Sequence, residues 1–497
     1  MQQLSFWPTV EKRKADLTRD TFSHNGVCAE EERIALEDNY SHLLEETDEF
    51  NRQLVSFQAN KTEVLHSWIK YREGFSANLV DILIRKFGIE PGDTILDPFA
   101  GSCTTLLVAE MRSINAVGIE LLPHCHLAWD AKSRAFDYVL DELNFVREIV
   151  ETSYPPDTTR KFKHLTITET AFPKEIETGL MRYTEWFKVL NISEDTKTLC
   201  RLVLTSILEE ISFTRKDGQY LRWDSRAGKI KEHNQNRVEK GKQPIKGIHK
   251  GKLPNVKDAF LKKLNKIIAD ISELQKVRPL PSYQRLIKGN TLFELPKLAG
   301  NQFAGVITSP PYANRYDYTR TYALELAYLE VDEEIFDFRQ NQLSCTVENR
   351  SKLGELEKFY DEIGEIERFK LITEIIQSNK AFAEVNGALA KRSELGEINN
   401  KGVLPMINQY FTELTFVFAE LYRVCHPGAH IAFVNDNVRY AGEIIPVDLL
   451  STNLAEQVGF KPIKVFVLPQ RKGNSSQQMG KYGRVALRKS ITVWKKD

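Results

Sequence analysis

The chain has 497 residues, of which 42% are hydrophobic and 27% charged, so its composition is that of a folded globular protein rather than a disordered, collagenous or membrane one. Its 68 Lys and Arg residues equal its 68 Asp and Glu residues, so no overall basic field attracts it to a nucleic acid, and any polyanion-binding surface must be local. No apolar run is long enough to span a bilayer and the N-terminus lacks the apolar stretch of a secretory signal, so a cytoplasmic location is expected.

Residues 1–60 are polar and rich in Glu. A helical stretch is predicted at residues 29–46, and we interpret the whole segment as an N-terminal helical extension. Apolar residues then recur at helical spacing over residues 76–87, which predicts an amphipathic helix. The Pro91-Gly92 turn follows, and a buried strand is expected directly after it.

A strand, a turn of small residues, a helix and a second strand are predicted between residues 94 and 120. The first strand ends in Asp97-Pro-Phe-Ala-Gly101-Ser-Cys-Thr-Thr105, and the second, at residues 116–119, ends in Glu120. This order opens a doubly wound α/β fold with a Rossmann-like, mostly parallel sheet. Ligands of such sheets bind at the carboxyl ends of the strands, beside a helix N-terminus. The turn therefore predicts a ligand site, with simple capping of the helix as the alternative.

The turn does not fit a dinucleotide site, which needs three glycines at G-x-G-x-x-G spacing, because only Gly101 is present. Glu120 lies about twenty residues beyond the turn, where an acid can accept hydrogen bonds from a ribose diol. An exposed loop acid would also explain Glu120. Position alone does not separate the two interpretations.

The strand pattern stops at residue 137 and resumes with strands at residues 284–288 and 304–308. The second of these is followed by Ser309-Pro310-Pro311-Tyr312. Consecutive prolines fix φ and remove two N–H donors, which leaves neighbouring carbonyls without local amide partners. Ser309 and such a carbonyl can accept both hydrogen bonds from an exocyclic base amine, while the Tyr312 ring can stack on the base. An ordinary strand-ending turn with a buried tyrosine is the alternative.

Together, the turn at residues 97–105 and the Thr308-Ser-Pro-Pro-Tyr312 segment resemble the amino-methyltransferases of DNA, the N4-cytosine and N6-adenine group. The resemblance covers residues 66–136 and 284–495. It implies the class I methyltransferase fold, S-adenosylmethionine as cofactor and double-stranded DNA as substrate. The catalytic residues it implies are Ser309, Pro310, Pro311 and Tyr312. The cofactor-binding residues it implies are Phe75, Asp97, Phe99, Gly101, Ser102, Glu120 and Asn290.

The chain departs from the family pattern at Cys103, where the family usually has a second glycine. A side chain there crowds the cofactor or fills the turn. Ser rather than Asp before the two prolines favours cytosine N4 as the target. N6-adenine methylation, an RNA methyltransferase, and an inactive DNA-binding regulator in which Cys103 blocks the cofactor are the alternatives. The resemblance also suggests a restriction-modification setting with a cognate restriction endonuclease as a possible partner.

A strongly basic stretch at residues 213–252 contains twelve Lys or Arg residues against four acids, with Tyr220 and Trp223 among them. Clustered cations with aromatic residues suit a segment that contacts phosphates and reads bases, although charge runs are usually solvated faces. Within a methyltransferase this stretch is the candidate target-recognition region. Its predicted DNA-binding residues are Arg215, Lys216, Arg222 and Arg226.

Four regions are predicted from these features: an extension (1–60), a cofactor-binding half (61–136), an insertion with the target-recognition region (137–283) and a catalytic half (284–497). The last includes a Glu-rich helical insertion at about 325–400. No metal site is expected, because His124-Cys-His126 has no matching pair elsewhere and the six cysteines show no C-x-x-C spacing. The same scatter argues against a disulfide framework.

Overall fold

The computed structural model describes residues 18–19, 21–217, 220–469 and 478–497. Within them an eight-stranded sheet forms the centre of the fold. Its strands, from one edge to the other, are β1 (Leu44–Glu46), β11 (Lys461–Leu468), β12 (Lys489–Lys495), β8 (Cys425–Asp436), β7 (Phe303–Thr308), β2 (Thr94–Asp97), β3 (Asn115–Glu120) and β6 (Gln284–Lys288).

The sheet is mostly parallel. Only β12 runs antiparallel to its neighbours β11 and β8, while the other adjacent strands are parallel. From β2 the chain passes outward through β3 to β6, and it then crosses back to β7 on the other side of β2. The order reverses between β2 and β7, which is where open α/β sheets bind ligands. The predicted doubly wound, mostly parallel α/β fold is therefore confirmed.

Helices cover both faces of the sheet. The longer ones are α1 (Glu31–Tyr40), α2 (Ala77–Phe87), α3 (Thr104–Met111), α4 (Pro123–Lys132), α5 (Leu140–Thr152), α6 (Lys174–Val189), α7 (Glu194–Ile211), α8 (Gly228–Glu239), α9 (Val256–Leu274), α13 (Glu334–Asn341), α14 (Leu353–Glu362), α15 (Ile366–Ser378), α16 (Lys380–Glu394), α17 (Val403–Val424) and α18 (Val447–Val458). The short ones are α10 (Thr291–Glu294), α11 (Tyr318–Thr321), α12 (Ala323–Tyr328) and α19 (Met479–Tyr482).

Two hydrophobic layers result, one on each face. Ile95 of β2 packs into the layer formed with α2 to α7 and α9, whereas its neighbour Leu96 packs into the layer formed with α14 to α18. This alternation is the ordinary consequence of the strand pleat. The predicted helix at residues 76–87 corresponds to α2, which Ser76 caps by accepting from Leu79 N at 3.2 Å.

The segment at residues 1–60 does not form a separate extension where it is described. β1 lengthens the central sheet by pairing with β11, with Leu44 opposite Val465. The Arg33 guanidinium of α1 is buried and pairs with Glu443 at 3.1 Å and Glu384 at 2.9 Å. Residues 1–17 and 20 of this segment lie outside the described part of the chain.

The insertion at residues 137–283 is divided between core and surface. Helices α5, α6, α7 and α9 contribute buried residues to one hydrophobic layer. The basic stretch forms a separate two-stranded hairpin, β4 (Thr214–Asp217) and β5 (Tyr220–Trp223), followed by α8. A second small hairpin, β9 (Val438–Tyr440) and β10 (Glu443–Ile445), was not predicted. In the described part of the chain no helix combines the length and the apolar character needed to cross a membrane.

Candidate functional site

A cleft opens where β2, β3, β6 and β7 end, and it spans about 740 Å³ when the open solvent at its mouth is included. Asp97 is the last residue of β2, and Glu120 is the last residue of β3. Asn290 follows β6 and Ser309 follows β7. All four residues line the cleft. Phe75, Phe99, Gly101 and Ser102 line it too. The fold thus gathers all seven predicted cofactor residues and Ser309 around one space, although they come from five separate parts of the sequence.

Asp97 holds three elements together at the base of the cleft. Its carboxylate accepts hydrogen bonds from Thr105 Oγ1 and Thr308 Oγ1, both at 2.7 Å, and from Phe99 N at 3.1 Å. The side chain is 1% exposed, and this burial raises its pKa to about 6 against the opposing effect of those hydrogen bonds. Asp97 therefore fixes the end of β2 to α3 and to the end of β7, in addition to lining the cleft.

The turn requires glycine at Gly101. Its φ is +52°, and a Cβ atom there would lie 2.7 Å from Cε1 of Tyr71. The Gly101 N–H donates to Glu120 Oε2 at 2.8 Å, so the turn is fastened to the end of β3. Neighbouring Ser102 is 7% exposed, and its carbonyl accepts from buried Lys132.

Cys103 does not crowd the cleft. Its side chain is fully buried in the hydrophobic layer that includes α2 and α3, and it is not among the cleft-lining residues. Its φ is +64°, in the left-handed region where glycine is favoured, so the backbone rather than the available space explains the family's usual glycine. Of the two alternatives for Cys103, that it crowds the cofactor or fills the turn, its burial away from the cleft favours the second.

Glu120 presents a carboxylate to the cleft. Its Oε1 accepts from the amides of Leu121 and Leu122 at 2.8 and 2.7 Å, and its Oε2 accepts from Gly101. A carboxylate offers about four acceptor positions, so one remains on Oε2. Burial raises the Glu120 pKa to about 7, and the three amide hydrogen bonds oppose the shift.

The cleft has the chemistry that an adenosyl group needs. The Asn290 Oδ1 accepts from Leu292 N at 3.0 Å, and its buried Nδ2 has no hydrogen-bond partner among the described residues. That nitrogen is free to donate to an adenine ring nitrogen, while Glu120 can accept from a ribose hydroxyl. Phe75 and Phe99 supply aromatic walls. The residues present therefore fit S-adenosylmethionine.

The proline segment lies at the other end of the cleft. Ser309 Oγ is 3.1 Å from Tyr312 OH and 3.3 Å from Val434 O, to either of which its single proton can be donated. Its oxygen lone pairs therefore stay available as acceptors. Ser309 and Pro311 line the cleft. Pro310 is buried, and Tyr312 follows Pro311 without lining the cleft itself.

One face of the Tyr312 ring is already covered. The Lys489 ammonium lies 5.1 Å from the ring centroid, and its Nζ is 3.4 Å from Asp436 Oδ1. A base that stacks on Tyr312 would use the opposite ring face, called the open face because Lys489 does not cover it. Lys489 and Asp436 were not predicted, because they lie at the facing ends of β12 and β8, far from the motif in sequence.

A second unpredicted group forms the wall beside Tyr71. Half-buried Glu73 lines the cleft and accepts hydrogen bonds from the hydroxyls of Tyr316 and Tyr322. Burial raises the Glu73 pKa, against the effect of both tyrosine hydrogen bonds. The sequence signal was present, since Glu73 and Tyr71 directly precede Phe75, but only the aromatic Phe75 was singled out.

The four predicted DNA-binding cations differ in exposure. Arg215 is exposed, and Arg222, 62% exposed, pairs with Asp217 at 2.6 Å. Arg226 is held by both oxygens of buried Asp224. Lys216 is 2% exposed, pairs with Glu325 and lies 4.4 Å from the Tyr322 ring centroid. The expectation for Lys216 is therefore corrected, because a buried, paired ammonium is not available to a phosphate. The side chain of Tyr220 lies outside the described part.

His124, Cys125 and His126 have separate surroundings. The His124 ring stacks on Tyr322 at a centroid distance of 4.4 Å, and burial lowers its pKa to about 3. The His126 Nε2 lies 2.9 Å from the Glu120 carbonyl oxygen. All six cysteines are buried free thiols.

A family model described as DNA methylase, of the N6/N4 type, matches residues 17–128. The type II methyltransferase M.BsoBI of Geobacillus stearothermophilus is 57% identical over 491 residues, which are 98% of this chain and 96% of that protein. The type II methyltransferases M.AvaI of Nostoc sp. and of Anabaena variabilis are each 38% identical over 473 residues, 93% of this chain and 92% of theirs.

Proposed function

This chain belongs to the amino-methyltransferase family of type II DNA methyltransferases, which take their methyl group from S-adenosylmethionine, and we propose on that premise that it methylates the N4 amine of cytosine in double-stranded DNA. The observation that carries the proposal is Ser309, which lines the cleft with open acceptor lone pairs beside two prolines. N6 of adenine is the second candidate, because its amine has the same donors. Ser before the prolines favours cytosine.

Bound S-adenosylmethionine supplies a methyl group made electrophilic by its sulfonium. Ser309 Oγ and the Pro310 carbonyl accept the two hydrogen bonds of the amine. These bonds draw the nitrogen lone pair out of conjugation with the ring and share the positive charge that develops on the nitrogen. The cleft walls would hold the amine in near-attack position towards the methyl group of the bound cofactor. As the N–C bond forms, the S–C bond to that methyl group would break, and the nitrogen would release one proton to solvent.

The target base must leave the helix to reach this cleft, since a stacked base hides its amine edge from the protein. The open face of Tyr312 stacks on the extruded base. The hairpin β4–β5 contacts the DNA backbone through Arg215 and Arg222, which lie directly opposite each other in the strand register. Like charges in directly opposed positions destabilise a hairpin, and a bound phosphate relieves that repulsion.

The comparisons place the chain among type II methyltransferases, and a restriction-modification role follows from that class. We extend the proposal to a partner endonuclease that cuts the same DNA sequence and is blocked by the methyl group. Such an enzyme must read the same site. DNA from cells that express the chain is expected to resist that nuclease. DNA from cells without the chain is expected to be cleaved.

The product tests the proposed target. Duplex DNA of a plasmid, single-stranded DNA and RNA are each incubated with methyl-labelled S-adenosylmethionine, digested to nucleosides and analysed by mass spectrometry. Label in N4-methylcytosine from duplex DNA is expected. Label in N6-methyladenine would show that adenine, not cytosine, is the target base. Label mainly in RNA or in 5-methylcytosine would contradict the proposal.

A further inference from the structure

The cleft has one wall that the methyl-transfer scheme leaves unexplained. Gln342 lines the cleft together with Ser309 and Pro311, and its residue is only 7% exposed. Neither its Nε2 nor its Oε1 has a hydrogen-bond partner among the described residues. A buried amide that leaves both polar atoms unpaired costs free energy on each, so such a group in a native structure calls for a partner.

The backbone of Gln342 is held at the end of a helix. Gln342 directly follows the last residue of α13, and its backbone N–H donates to the Phe338 carbonyl at 3.2 Å. Two residues on, Ser344 donates to both carboxylate oxygens of Glu413, through its amide at 2.8 Å and its hydroxyl at 2.5 Å. The buried Lys352 ammonium also contacts Glu413, at 2.9 Å. The backbone segment that carries Gln342 is therefore fastened to α17 by a buried ion pair.

The two candidate target bases, cytosine and adenine, share one further feature, an acceptor nitrogen next to the amine-bearing carbon: N3 in cytosine and N1 in adenine. In cytosine the O2 carbonyl is a second acceptor on the same edge. Thymine and guanine carry a donor N–H at the corresponding ring position. An amide NH2 group has two donors, so it matches an edge of acceptors and leaves the edges of thymine and guanine unsatisfied.

We infer that Gln342 recognises the flipped base by donating from Nε2 to the ring nitrogen beside the amine. This assignment rests on the proposed amine methylation. Under this assignment the groups in the cleft have separate roles. Ser309 and the Pro310 carbonyl hold the amine, and Gln342 fixes the rotation of the base about its glycosidic bond. The buried segment around Ser344 holds the backbone that positions Gln342 against the base.

The first test compares Gln342→Leu and the near-isosteric Gln342→Glu with the wild type. Each is assayed for cofactor affinity by calorimetry and for single-turnover methylation of the duplex DNA that the wild type methylates in the product assay. Both variants are expected to keep wild-type cofactor affinity and to lose about ten- to a hundredfold in rate, since each removes a donor to a desolvated acceptor. Gln409→Leu is the matched control, because Gln409 contacts Ser344 of the same segment but is not among the cleft-lining residues.

A double-mutant cycle identifies the contact. The target base is replaced by its analogue with carbon for the ring nitrogen, 3-deazacytosine or, for an adenine target, 1-deazaadenine. The wild type should lose about as much on the analogue as Gln342→Leu loses on the natural base, and Gln342→Leu should lose little more on the analogue. Independent, multiplying losses would overturn the inference, as would full activity of Gln342→Leu on the natural duplex. Ring methylation by the wild type would instead overturn the proposed function on which it rests.

Discussion

The Gly101 amide donates a hydrogen bond of 2.8 Å to Glu120 Oε2, so the turn after β2 and the end of β3 meet at one carboxylate. With two further amides on Oε1, Glu120 keeps one acceptor position for a ribose hydroxyl. Protonation removes acceptor capacity from this group. The protonation state of Glu120 and the geometry of the turn are therefore coupled.

Cofactor affinity should depend on pH through Glu120, whose pKa is about 7 in the empty cleft. A ribose hydroxyl that donates to the carboxylate favours the ionised form, so affinity should rise as pH increases through about 7 and level off above it. Glu120→Gln should bind more weakly and lose this dependence. Calorimetric titration of both proteins with S-adenosylmethionine from about pH 6 to 8 measures it. Parallel pH profiles for the two proteins would remove Glu120 from the ribose contact.

Stability should depend on pH through Asp97. Burial raises its pKa from 3.8 to about 6, so the folded state binds the proton more tightly than the unfolded state. Its contribution to stability is complete below about pH 4 and is lost as pH rises to about 6, which amounts to about 3 kcal/mol. Asp97→Asn should be less sensitive to pH in that window, and thermal unfolding of both proteins measures the difference. An equal pH slope in the variant would contradict the assigned shift.

Asp97→Ala should behave differently from Asp97→Asn, because it leaves the hydroxyls of Thr105 and Thr308 and the Phe99 amide without their shared acceptor. We expect a lower melting temperature as well as weaker cofactor binding. Phe75→Ala, by comparison, should weaken cofactor binding with the fold retained. Unchanged cofactor affinity in both variants would remove the site assignment.

The hairpin β4–β5 should account for part of the salt dependence of DNA binding. The double variant Arg215→Gln and Arg222→Gln should lower the slope of log K against log salt by about 2, one counterion for each lost phosphate contact. Lys358→Gln with Lys370→Gln is the matched control, since these exposed cations lie on α14 and α15. An identical slope in the hairpin variant would move the DNA contact elsewhere.

Tyr312 should contribute to capture of the extruded base through its open ring face. Tyr312→Ala should reduce capture by about 1–3 kcal/mol, the usual value of one base on one aromatic ring. Tyr312→Phe keeps the ring and loses only the hydroxyl near Ser309, so it should retain most of the capture. Fluorescence of 2-aminopurine at the target position reports the extruded state. Equal signals from the alanine variant and the wild type would exclude stacking on Tyr312.

The cofactor side of the cleft could be predicted from the sequence because its information is local. The turn at residues 97–105, the strand before it and Glu120 lie within about twenty-five residues, and strand–turn–helix geometry brings them together. The burial of Lys216 was missed because residues 213–252 were considered only as a charge run. In β4 the side chains alternate, so Lys216 points inward while Arg215 points outward.

The features that were missed depend on long-range contacts. β1 has three residues, and it forms because it pairs with β11. That partner lies some 420 positions later in the sequence. Gln342 belongs to a Glu-rich helical block whose periodicity gives no sign that its end enters the cleft. Cys103 was judged from side-chain volume alone, whereas its left-handed backbone directs the thiol into the core. Local pattern carries no information on any of these placements.

Ser309→Ala tests the central claim, that the serine after β7 accepts a hydrogen bond from the reacting amine. The variant is assayed by calorimetry with S-adenosylmethionine and by a single turnover on duplex DNA with saturating cofactor. Wild-type cofactor affinity with a rate at least about a hundredfold lower is the predicted result, since removing one acceptor from a site of developing charge costs a few kcal/mol. A single-turnover rate equal to that of the wild type would contradict the account.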